Sequence, residues 1–475
     1  MSESLSLIFV SAEVAPYSKV GGLADVSSAL PRSLVEHNVT VTVISPWYRK
    51  VREHFQSPPP SRFRGEITLG ADRIPYAIRE ISDNGVRFWF VENASFYDRA
   101  GIYGATAGTG YPDNNARYFF LQYVVLDLLE RQNIISDVVH VNDHHTALLP
   151  LMLKQRDMNI PTLLTIHNAM YQGTFSATET GLLDLPERKY FQQQEGNALK
   201  TGIRHANRVV TVSPTYRNEL LTIPDLAYGL QDDLRLRNES FTGILNGADY
   251  DYWNPETDPH LVQNYSVQTL PFKAINKAAL IQACHLSGTE TTPLFGSVSR
   301  QVESKGFHLI LAALDDLVAE GFLFVFLGTG EPDIMRALRD YSEKYPASVA
   351  CVADYDEVLA HRIEAGADFF LMPSRYEPCG LNQIYSLRYG TIPIVHATGG
   401  LADTVVDWNG KQGNGFSFQS YDERAFRDAI HRGGAIYGTK DWNSLRRNAM
   451  LSDYSWQKSA EKYRSLYAAM RRQHE

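Results

Sequence analysis

Cysteine is scarce in this chain of 475 residues, which contains only three. Cys284, Cys351 and Cys379 lie far apart, and their spacing matches no metal site. Three widely separated thiols suit a reducing compartment. We therefore expect a cytoplasmic protein without structural disulfides, without a bound metal ion and without a cofactor.

Positive charge is also in short supply. The chain carries 45 Lys and Arg against 54 Asp and Glu, which gives a formal net charge of −9. Proteins that bind nucleic acid usually have a basic excess or a dense basic stripe, and the sequence has neither. We expect no nucleic-acid partner, and any anionic ligand must be held by a few well-placed bases.

Long apolar runs are missing as well. No stretch approaches the roughly 20 apolar residues that a bilayer crossing requires. The segment Met1–Pro16 has no basic lead-in and only a short apolar run, which predicts a buried first strand and not a secretory signal. We therefore expect no membrane association.

Short β-rich runs alternate with segments of helical length along the whole chain. Several of these runs are continuously apolar, which is typical of parallel strands covered on both faces. Strands separated by helices predict an α/β fold of doubly wound sheets. The first set of predicted strands comprises Leu5–Ser11, Val39–Ser45, Arg87–Glu92, Val138–Asn142, Thr162–His167 and Val209–Ser213. The second set comprises Pro293–Ser299, Phe322–Gly328, Ala350–Ala353, Phe369–Pro373 and Pro393–His396.

An irregular stretch over residues 214–258, rich in Asn, Asp, Gly and Pro, separates the two sets of strands. We expect one domain over residues 1–245 and a second over 246–454. The segment 455–475 is predicted to form an amphipathic helix that packs back on the first domain. Its apolar side comprises Tyr463, Leu466, Tyr467 and Met470.

In open α/β sheets, ligands bind beyond the carboxyl ends of the strands. The first such loop contains Lys19-Val20-Gly21-Gly22-Leu23 and leads into a predicted helix. Paired glycines at the start of a helix let backbone N–H groups approach a phosphate, although a tight turn is the simpler explanation. The segment is neither a Walker loop nor a dinucleotide fingerprint, and Gly328-Thr329-Gly330 also lacks the third glycine of that fingerprint.

Arg300 and Lys305 share one strand-to-helix loop in a protein otherwise short of positive charge. A departing diphosphate needs such neutralisation, with Arg offering a planar fork and Lys a point charge. The alternative is a pair of solvated surface bases.

Glu377 lies in a further strand-to-helix loop, Met372–Gln383. Its carboxylate could accept hydrogen bonds from sugar hydroxyls, and the following amides and Asn382 could face phosphate oxygens. The alternative is a helix-capping acid. The loop 397–403, after the next strand, offers further backbone donors.

Histidines cluster in His140-Val141-Asn142-Asp143-His144-His145 and in Thr165-Ile166-His167-Asn168. No spacing among them matches a known metal site. We expect neutral histidines that contact sugar hydroxyls, while any one of them taken alone could be structural.

Together these segments resemble the bacterial glycogen synthase and plant starch synthase family, and the resemblance spans nearly the whole chain. The Lys19–Leu23 loop is the hallmark of that family. Further similar segments are Tyr111-Pro112-Asp113-Asn114, Asp143-x-His145-Thr146, Thr165-Ile166-His167-Asn168-x-x-Tyr171-Gln172-Gly173, Thr211–Tyr216, Leu245-Asn246-Gly247, Ser299-Arg300 with Lys305-Gly306, Glu377–Leu381 and Thr398–Asp403.

Three positions depart from the pattern of the family. His144 stands where the family usually has Trp, and the spacer 301–304 differs although the separation of Arg300 from Lys305 is kept. Related retaining transferases carry a second Glu eight residues after the first, and Tyr385 stands there. Only Glu377 is therefore carried over.

The resemblance implies a GT-B fold, in which two Rossmann-like doubly wound domains face a central cleft and the second domain binds most of the nucleotide. It implies transfer of glucose from ADP-glucose to the non-reducing end of an α-1,4-glucan, glycogen or a maltooligosaccharide, with retention and without a metal ion. The sequence does not set the oligomeric state.

The resemblance also implies roles for individual residues. The expected catalytic residues are His145, Arg300, Lys305, Glu377 and Asn246. The expected substrate-binding residues are Lys19, Gly21, Gly22, Asp25, Asp113, Tyr355, Cys379, Gly380, Leu381, Asn382, Thr398, Gly399 and Gly400. Arg300, Lys305 and the two glycine amides would stabilise the diphosphate, while Tyr355 would stack on the base.

Two other classes of protein remain open at this point. One is another retaining GT-B transferase, of the UDP-glucose or sucrose type. The other is a non-catalytic sensor of sugar nucleotides. Turnover of donor with a glucan primer distinguishes all three, because fold analogy alone does not settle function.

Overall fold

The computed structural model describes residues 4–106, 108–132, 134–183 and 196–474. The chain divides into two compact units. Unit 1 comprises Met1–Gly247 together with Trp456–Glu475, and unit 2 comprises Ala248–Ser455.

Unit 1 is built on a nine-stranded sheet with the order β11-β10-β7-β6-β1-β2-β5-β4-β3. The strands of unit 1 are β1 Leu5–Val10, β2 Val39–Pro46, β3 Ser61–Leu69, β4 Asp72–Asp83, β5 Val86–Glu92, β6 Val138–Asn142, β7 Thr162–Ile166, β8 Thr174–Phe175, β9 Gly196–Asn197, β10 Arg208–Thr211 and β11 Phe241–Gly243. The strands from β11 to β5 in this order are parallel, and β4 and β3 extend the sheet antiparallel. β8 and β9 form a separate two-stranded ribbon.

The helices of unit 1 mostly connect these parallel strands. Their bounds are α1 Gly22–Glu36, α2 Arg49–Glu53, α3 Ala94–Tyr97, α4 Asn114–Arg131, α5 Leu149–Gln155, α6 Ala198–His205, α7 Pro214–Thr222, α8 Pro224–Ala227 and α9 Gln231–Leu236. Two 3-10 turns span Glu179–Leu182 and Asn238–Ser240. Phe9 and Val10 of β1 are fully buried, as their continuous apolar run predicts.

Unit 2 contains a parallel six-stranded sheet with the order β14-β13-β12-β15-β16-β17. Its strands are β12 Leu294–Val298, β13 Leu323–Leu327, β14 Val349–Val352, β15 Phe369–Met372, β16 Ile392–His396 and β17 Phe416–Phe418. Its helices are α10 Lys273–Ala283, α11 Phe307–Ala319, α12 Pro332–Lys344, α13 Glu357–Gly366, α14 Asn382–Tyr389, α15 Gly399–Thr404, α16 Glu423–Ile436 and α17 Lys440–Leu451. Two 3-10 turns span Leu270–Phe272 and Glu303–Lys305.

Each sheet has one position where the strand order reverses. In unit 1 the strands β2 to β5 all lie on one side of β1, and the chain crosses to the other side of β1 at β6. In unit 2 the reversal lies between β12 and β15. Loops that leave the carboxyl ends of such neighbouring strands diverge to opposite faces, and the crevice between them is where ligands bind.

The C-terminal helix, α18 Trp456–His474, belongs to unit 1 and contacts α1 and β6. Its buried side includes Tyr463, Tyr467 and Met470. The Tyr467 hydroxyl lies 2.8 Å from Nδ1 of His140, whose Nε2 lies 2.7 Å from Oγ1 of Thr165. His140 is therefore structural, and the last residue of the predicted helix, Glu475, lies outside the described residues.

The two strands β3 and β4 are absent from the sequence prediction. Residues along β3 are mostly half-buried or exposed, because this strand forms the edge of the sheet. Alternating, partly polar strands of this kind give a weaker signal than buried parallel ones. The short strands β11 and β17, of three residues each, were also not predicted.

Among the described residues, no helix is both long enough and apolar enough to cross a bilayer.

A buried ion pair joins two elements of unit 2. Nζ of Lys277, in α10, donates to Oδ2 of Asp368 at 2.6 Å, and both side chains are at most 6% exposed. The same ammonium also donates to the Tyr437 hydroxyl at 2.7 Å. Burial lowers the pKa of Lys277, whereas the carboxylate of Asp368 opposes that shift. Each charge therefore depends on the other to remain buried.

Removing one member of this pair is expected to destabilise unit 2 strongly. Lys277→Met leaves the Asp368 carboxylate buried without its cation, and we expect a loss of about 3–5 kcal/mol in the free energy of unfolding. Urea denaturation measures it. The matched control is Lys344→Met, because Lys344 pairs with Asp315 at 2.7 Å on the solvent-exposed surface, where losing an ion pair has little effect on the free energy of unfolding. Equal effects of the two substitutions would contradict the prediction.

Candidate functional site

The first candidate loop follows β1, at the strand-order reversal of unit 1. Glu13 lies in this loop, is 3% exposed, and accepts hydrogen bonds from the N–H groups of Val20 and Gly21 at 2.6 and 3.0 Å. The Tyr103 hydroxyl donates to the other carboxylate oxygen. Burial raises the pKa of Glu13, and these three hydrogen bonds oppose the shift. Glu13 thus fixes the shape of the glycine loop.

Gly21 is not explained by a strained turn. Its φ of −147° is extended backbone that any residue adopts, so the expectation of a tight turn does not account for the glycine. A Cβ built on Gly21 has no described atom within 4 Å beyond its chain neighbours. Gly22 begins α1, whose N-terminus is a favourable position for an anion. The glycine therefore leaves open space above a helix N-terminus.

Lys19, in this loop, and Asp25, in the first turn of α1, form an ion pair of 2.7 Å. Both side chains are partly exposed, at 43% and 27%. The structure therefore brings together four predicted binding residues, Lys19, Gly21, Gly22 and Asp25.

The loop after β6 lies on the other side of the strand-order reversal and carries the histidines. The His145 ring stacks on the Tyr103 ring at 5.1 Å and lies 3.7 Å from the His144 ring. Burial lowers the pKa of His144 to about 4 and that of His145 well below its usual value. Nδ1 of His145 is buried without a hydrogen-bond partner among the described residues. Both rings are therefore neutral at pH 7, and Tyr103 connects His145 to Glu13.

Asp143 and His167 form a second polar contact at the same edge. Oδ1 of Asp143 accepts the N–H of His167 at 2.7 Å, and Nε2 of His167 lies 2.9 Å from Oδ1 of Asn142. Burial raises the pKa of Asp143 to about 7 and lowers that of His167 to about 3. His167 belongs to the histidines that were expected to contact sugar hydroxyls, whereas Asp143 was given no role of its own.

Asp113 and Asn246 occupy separate places in unit 1. Asp113 precedes α4 and accepts two hydrogen bonds of 2.6 Å from the Arg99 guanidinium, which lowers its pKa. Asn246 follows β11, is 5% exposed, and its Oδ1 is buried without a hydrogen-bond partner in the described part of the chain.

In unit 2, two predicted catalytic residues meet. Nζ of Lys305 lies 2.5 Å from Oε2 of Glu377, and their side chains are 22% and 10% exposed. The Ser374 hydroxyl donates to the same oxygen at 3.1 Å. Lys305 comes from the loop after β12 and Glu377 from the loop after β15, so the pair lies at the strand-order reversal. Glu377 is therefore held by two other side chains and does not act as a simple helix cap.

Close backbone approaches hold these loops together. A Cβ on Gly306 would lie 1.9 Å from the Pro373 carbonyl oxygen, and one on Gly399 would lie 1.9 Å from that of Glu377. Both glycines have positive φ, of 78° and 46°. The Gly400 N–H donates to the Glu377 carbonyl at 3.1 Å, so this amide is already engaged. Thr398, Gly399 and Gly400 thus lie directly against the Glu377 loop.

The residues that follow Glu377 connect the loop to the core. Asn382 begins α14, and its Nδ2 donates to the Val298 carbonyl at 2.5 Å. Cys379 is buried, and Gly380 has a φ of 72° beside the Gln383 side chain. Leu381 packs against a small apolar cluster that contains Ile384 and Tyr385. Their side chains therefore have structural roles.

Arg300 and Tyr355 are the most exposed of the predicted residues of unit 2. Arg300 follows β12 in the same loop as Lys305, and its side chain is solvent-exposed. The Tyr355 side chain, after β14, is 74% exposed. Among the residues that the structure describes, no group of three or more His, Cys, Asp or Glu side chains has an arrangement that could hold a metal ion.

Comparison with known proteins identifies two families along the chain. Residues 6–236 match the family described as "Starch synthase catalytic domain", and residues 286–433 match "Glycosyl transferases group 1". Glycogen synthase of Cellvibrio japonicus is 40% identical, with 98% of this chain and 99% of that protein covered. Glycogen synthase of Lactobacillus acidophilus is 38% identical, with 98% and 100% covered.

Solved structures agree with this assignment. The catalytic domain of starch synthase IV from Arabidopsis thaliana, bound to ADP and acarbose, superimposes with a TM-score of 0.89 at 33% identity, covering 99% of this chain and 100% of that one. Sucrose-phosphate synthase from Thermosynechococcus elongatus, at 17% identity and a TM-score of 0.61, shares the fold alone.

The predicted fold class is confirmed, since both sheets are doubly wound and the structural neighbours are GT-B glycosyltransferases. The predicted enzyme class and family are confirmed by the full-length relatives. The chain belongs to the glycogen synthase and starch synthase family of glycosyltransferases.

Proposed function

We propose that this glycogen synthase-type enzyme transfers glucose from ADP-glucose to the non-reducing end of an α-1,4-glucan, with retention and without a metal ion. The observation that carries the proposal is the meeting of Lys305, Glu377 and Ser374 at the strand-order reversal of unit 2. The related starch synthase domain was solved with ADP and acarbose, which supports a nucleotide donor and a glucan acceptor here.

Unit 2 is assigned the nucleotide sugar. Arg300 and Lys305 neutralise the negative charge that develops on the diphosphate as the bond between its oxygen and C1 of glucose breaks. The acceptor 4-hydroxyl attacks C1 from the face that the diphosphate leaves, and its proton passes to the departing phosphate oxygen. The products are ADP and a glucan longer by one residue. Glu377 accepts hydrogen bonds from glucosyl hydroxyls, and Tyr355 stacks on the base.

The amides around Glu377 complete the donor site. The backbone N–H groups of Cys379, Gly380, Leu381 and Asn382 are assigned to the phosphate oxygens, because the Asn382 side chain already donates to the Val298 carbonyl. Gly399 lets the loop that begins at Thr398 lie close enough to take part. Because the Gly400 amide is already engaged, its contribution is the close approach of the two loops.

Unit 1 is assigned the acceptor and part of the glucosyl unit. Neutral His145 and Asn246 each have a buried polar atom without a protein partner, as groups that await sugar hydroxyls should. Gly22 and the space above Gly21 are assigned to the diphosphate, because α1 begins there and Glu13 already engages the Gly21 amide. Lys19, Asp25 and Asp113 are assigned supporting roles.

The charges of Arg300 and Lys305 provide the first test. Each should matter more in the transition state than in the ground state, so alanine at either position should lower kcat by about 10²–10³-fold. Arg300→Lys should remain impaired, because an ammonium cannot reproduce the guanidinium fork. Initial rates of glucan elongation at saturating donor measure both effects.

Matched controls come from surface ion pairs of unit 2. Lys344→Ala and Arg427→Ala remove cations that pair with Asp315 and Asp316, and both should keep kcat unchanged. Near-normal turnover in folded Arg300→Ala and Lys305→Ala would show that these residues are solvated surface bases.

Metal independence is tested by chelation. The described residues offer no cluster of metal ligands, and two cationic side chains are available for the diphosphate. Turnover should therefore persist in excess EDTA. If EDTA abolishes turnover and a divalent ion restores it, the metal independence is contradicted. The proposed glucosyl transfer itself would not be contradicted by that result.

The identity of the donor is tested by separate elongation assays with ADP-glucose and UDP-glucose on a glycogen primer. We expect kcat/KM to favour ADP-glucose by about tenfold or more, the scale that a few contacts to the base can supply. A preference for UDP-glucose would correct the donor. If ADP-glucose and UDP-glucose both bind without turnover, the protein is a sensor of sugar nucleotides. Lys305→Ala serves as the inactive reference in these assays.

A further inference from the structure

A cavity of about 760 Å³ lies in unit 1, away from the loops described above. It is lined by the start of β10, by the connection from α9 to β11, and by the end of α18. Because β10 is parallel to its neighbours, the start of β10 lies at the opposite edge of the sheet from the glycine loop and the histidines. The cavity is therefore separate from the candidate glucosyl-transfer site.

The charge of this cavity contrasts with the net charge of the chain. Three arginines, Arg208, Arg235 and Arg237, line it together with His474, and Glu239 is the one acid among the described lining residues. The chain as a whole carries a net charge of −9. The lining of this cavity is therefore positively charged although the chain as a whole is acidic.

Arg208 and Arg237 are held by neutral acceptors. Arg237 donates to the main-chain carbonyls of Ala206 and Asn207, and its Nε is buried without a hydrogen-bond partner among the described residues. Arg208 donates to the Glu239 carbonyl at 3.2 Å and to Gln473 Oε1 at 3.3 Å. Burial and the positive charge of Arg208 lower the pKa of Arg237. Two like charges thus face each other.

Two neighbouring cations of the same unit are neutralised by a buried carboxylate. Arg204 pairs with buried Asp233 at 2.5 Å, and Lys200 pairs with the same carboxylate at 3.3 Å. Within the described part of the chain, Arg208 and Arg237 have no carboxylate within 4 Å. Arg235 lies 3.7 Å from the exposed carboxylate of Asp232, and its Nε donates to the Leu221 carbonyl at 3.0 Å. An anion from solution would supply the missing negative charge.

We propose that this arginine-lined cavity is a binding site for a small phosphate-bearing anion, distinct from the site of glucosyl transfer. Guanidinium forks match the geometry of phosphate oxygens, and main-chain carbonyls already hold Arg208 and Arg237 in place. The volume suits a small organic phosphate.

The remaining lining narrows the chemistry of the ligand. Asn238, Ser240 and Gln473 offer amide and hydroxyl groups that can bind hydroxyls beside a phosphate, while the Asn207 side chain is already engaged by Thr162 and His474. The described lining contains no Phe, Tyr or Trp, so stacking on a nucleobase is not provided. A phosphate monoester of a polyhydroxy compound fits this set better than a nucleotide does.

Isothermal titration calorimetry of the full chain tests the proposal with three probes: inorganic phosphate, a hexose monophosphate and citrate. We expect the hexose monophosphate to bind more tightly than inorganic phosphate, and both to weaken as NaCl is raised. Arg208→Gln and Arg235→Gln should each weaken binding about tenfold or more, the value of a lost charge-assisted hydrogen bond. Tighter binding of citrate would contradict the preference for phosphate.

Two controls separate this cavity from the donor site and from general charge effects. Lys305→Ala should keep the affinity for the probes, whereas binding at the donor site would be lost with it. Arg336→Gln removes an exposed arginine of α12 that pairs with Asp333, and it should change nothing. Absence of binding by folded wild-type protein at millimolar probe, or unchanged affinity in both cavity variants, would overturn the proposal.

Discussion

The reversal of strand order in each parallel sheet is the constraint on which the candidate site depends. Loops that leave the carboxyl ends of β12 and β15 begin side by side, and this adjacency brings Lys305 to Glu377. The same reversal between β1 and β6 in unit 1 places the glycine loop beside the histidines, with Tyr103 between Glu13 and His145. In both sheets, although they differ in size, the polar residues therefore lie in the loops at the strand-order reversal.

Adjacency of strands is not sufficient, because the loops must also approach at the level of the backbone. Gly306 and Gly399 make this possible in unit 2, where any Cβ would overlap a carbonyl oxygen. Gly328 acts in the same way against the Ser299 carbonyl, which explains the glycines of Gly328-Thr329-Gly330 without a dinucleotide. A side chain at any of these positions would displace the loop that carries Arg300 or Glu377.

The parallel strands were predicted well from the sequence, because strands that are buried on both faces consist of consecutive apolar residues. Observed bounds of β1, β6 and β7 differ from the predicted ones by at most one residue at either end. Strands β3 and β4 were missed because their partly exposed residues alternate and include many charges. β3, β4 and β5 pair as two successive hairpins, and Asn84-Gly85 between β4 and β5 is a local turn signal that the prediction did not use.

For the candidate site, the positions of residues along the chain could be predicted from the sequence, but their hydrogen-bond partners could not. Loop positions of Lys19, Arg300 and Glu377 follow from the strands before them, so sequence reasoning placed them. Partners do not follow, because hydrogen bonds are fixed by tertiary packing. Glu13 is the clearest omission: it occupies the amides that the glycine pattern suggested for a phosphate. A lone carboxylate between Ala12 and Val14, directly after a buried strand, is the one signal that could have indicated it.

The cations of this acidic protein differ in the partners that surround them. Lys277 is fully committed, since it is buried with its partner Asp368 and also donates to the Glu290 carbonyl and the Tyr437 hydroxyl. Lys305 is held by one carboxylate and remains 22% exposed, so an anion can reach it without unfolding the loop. Arg208 has only neutral acceptors among the described residues. With 45 bases against 54 acids, positive charges without full neutralisation are costly to place together, and a bound anion offsets that cost. The degree of neutralisation therefore separates cations that stabilise the fold from those that remain available to a ligand.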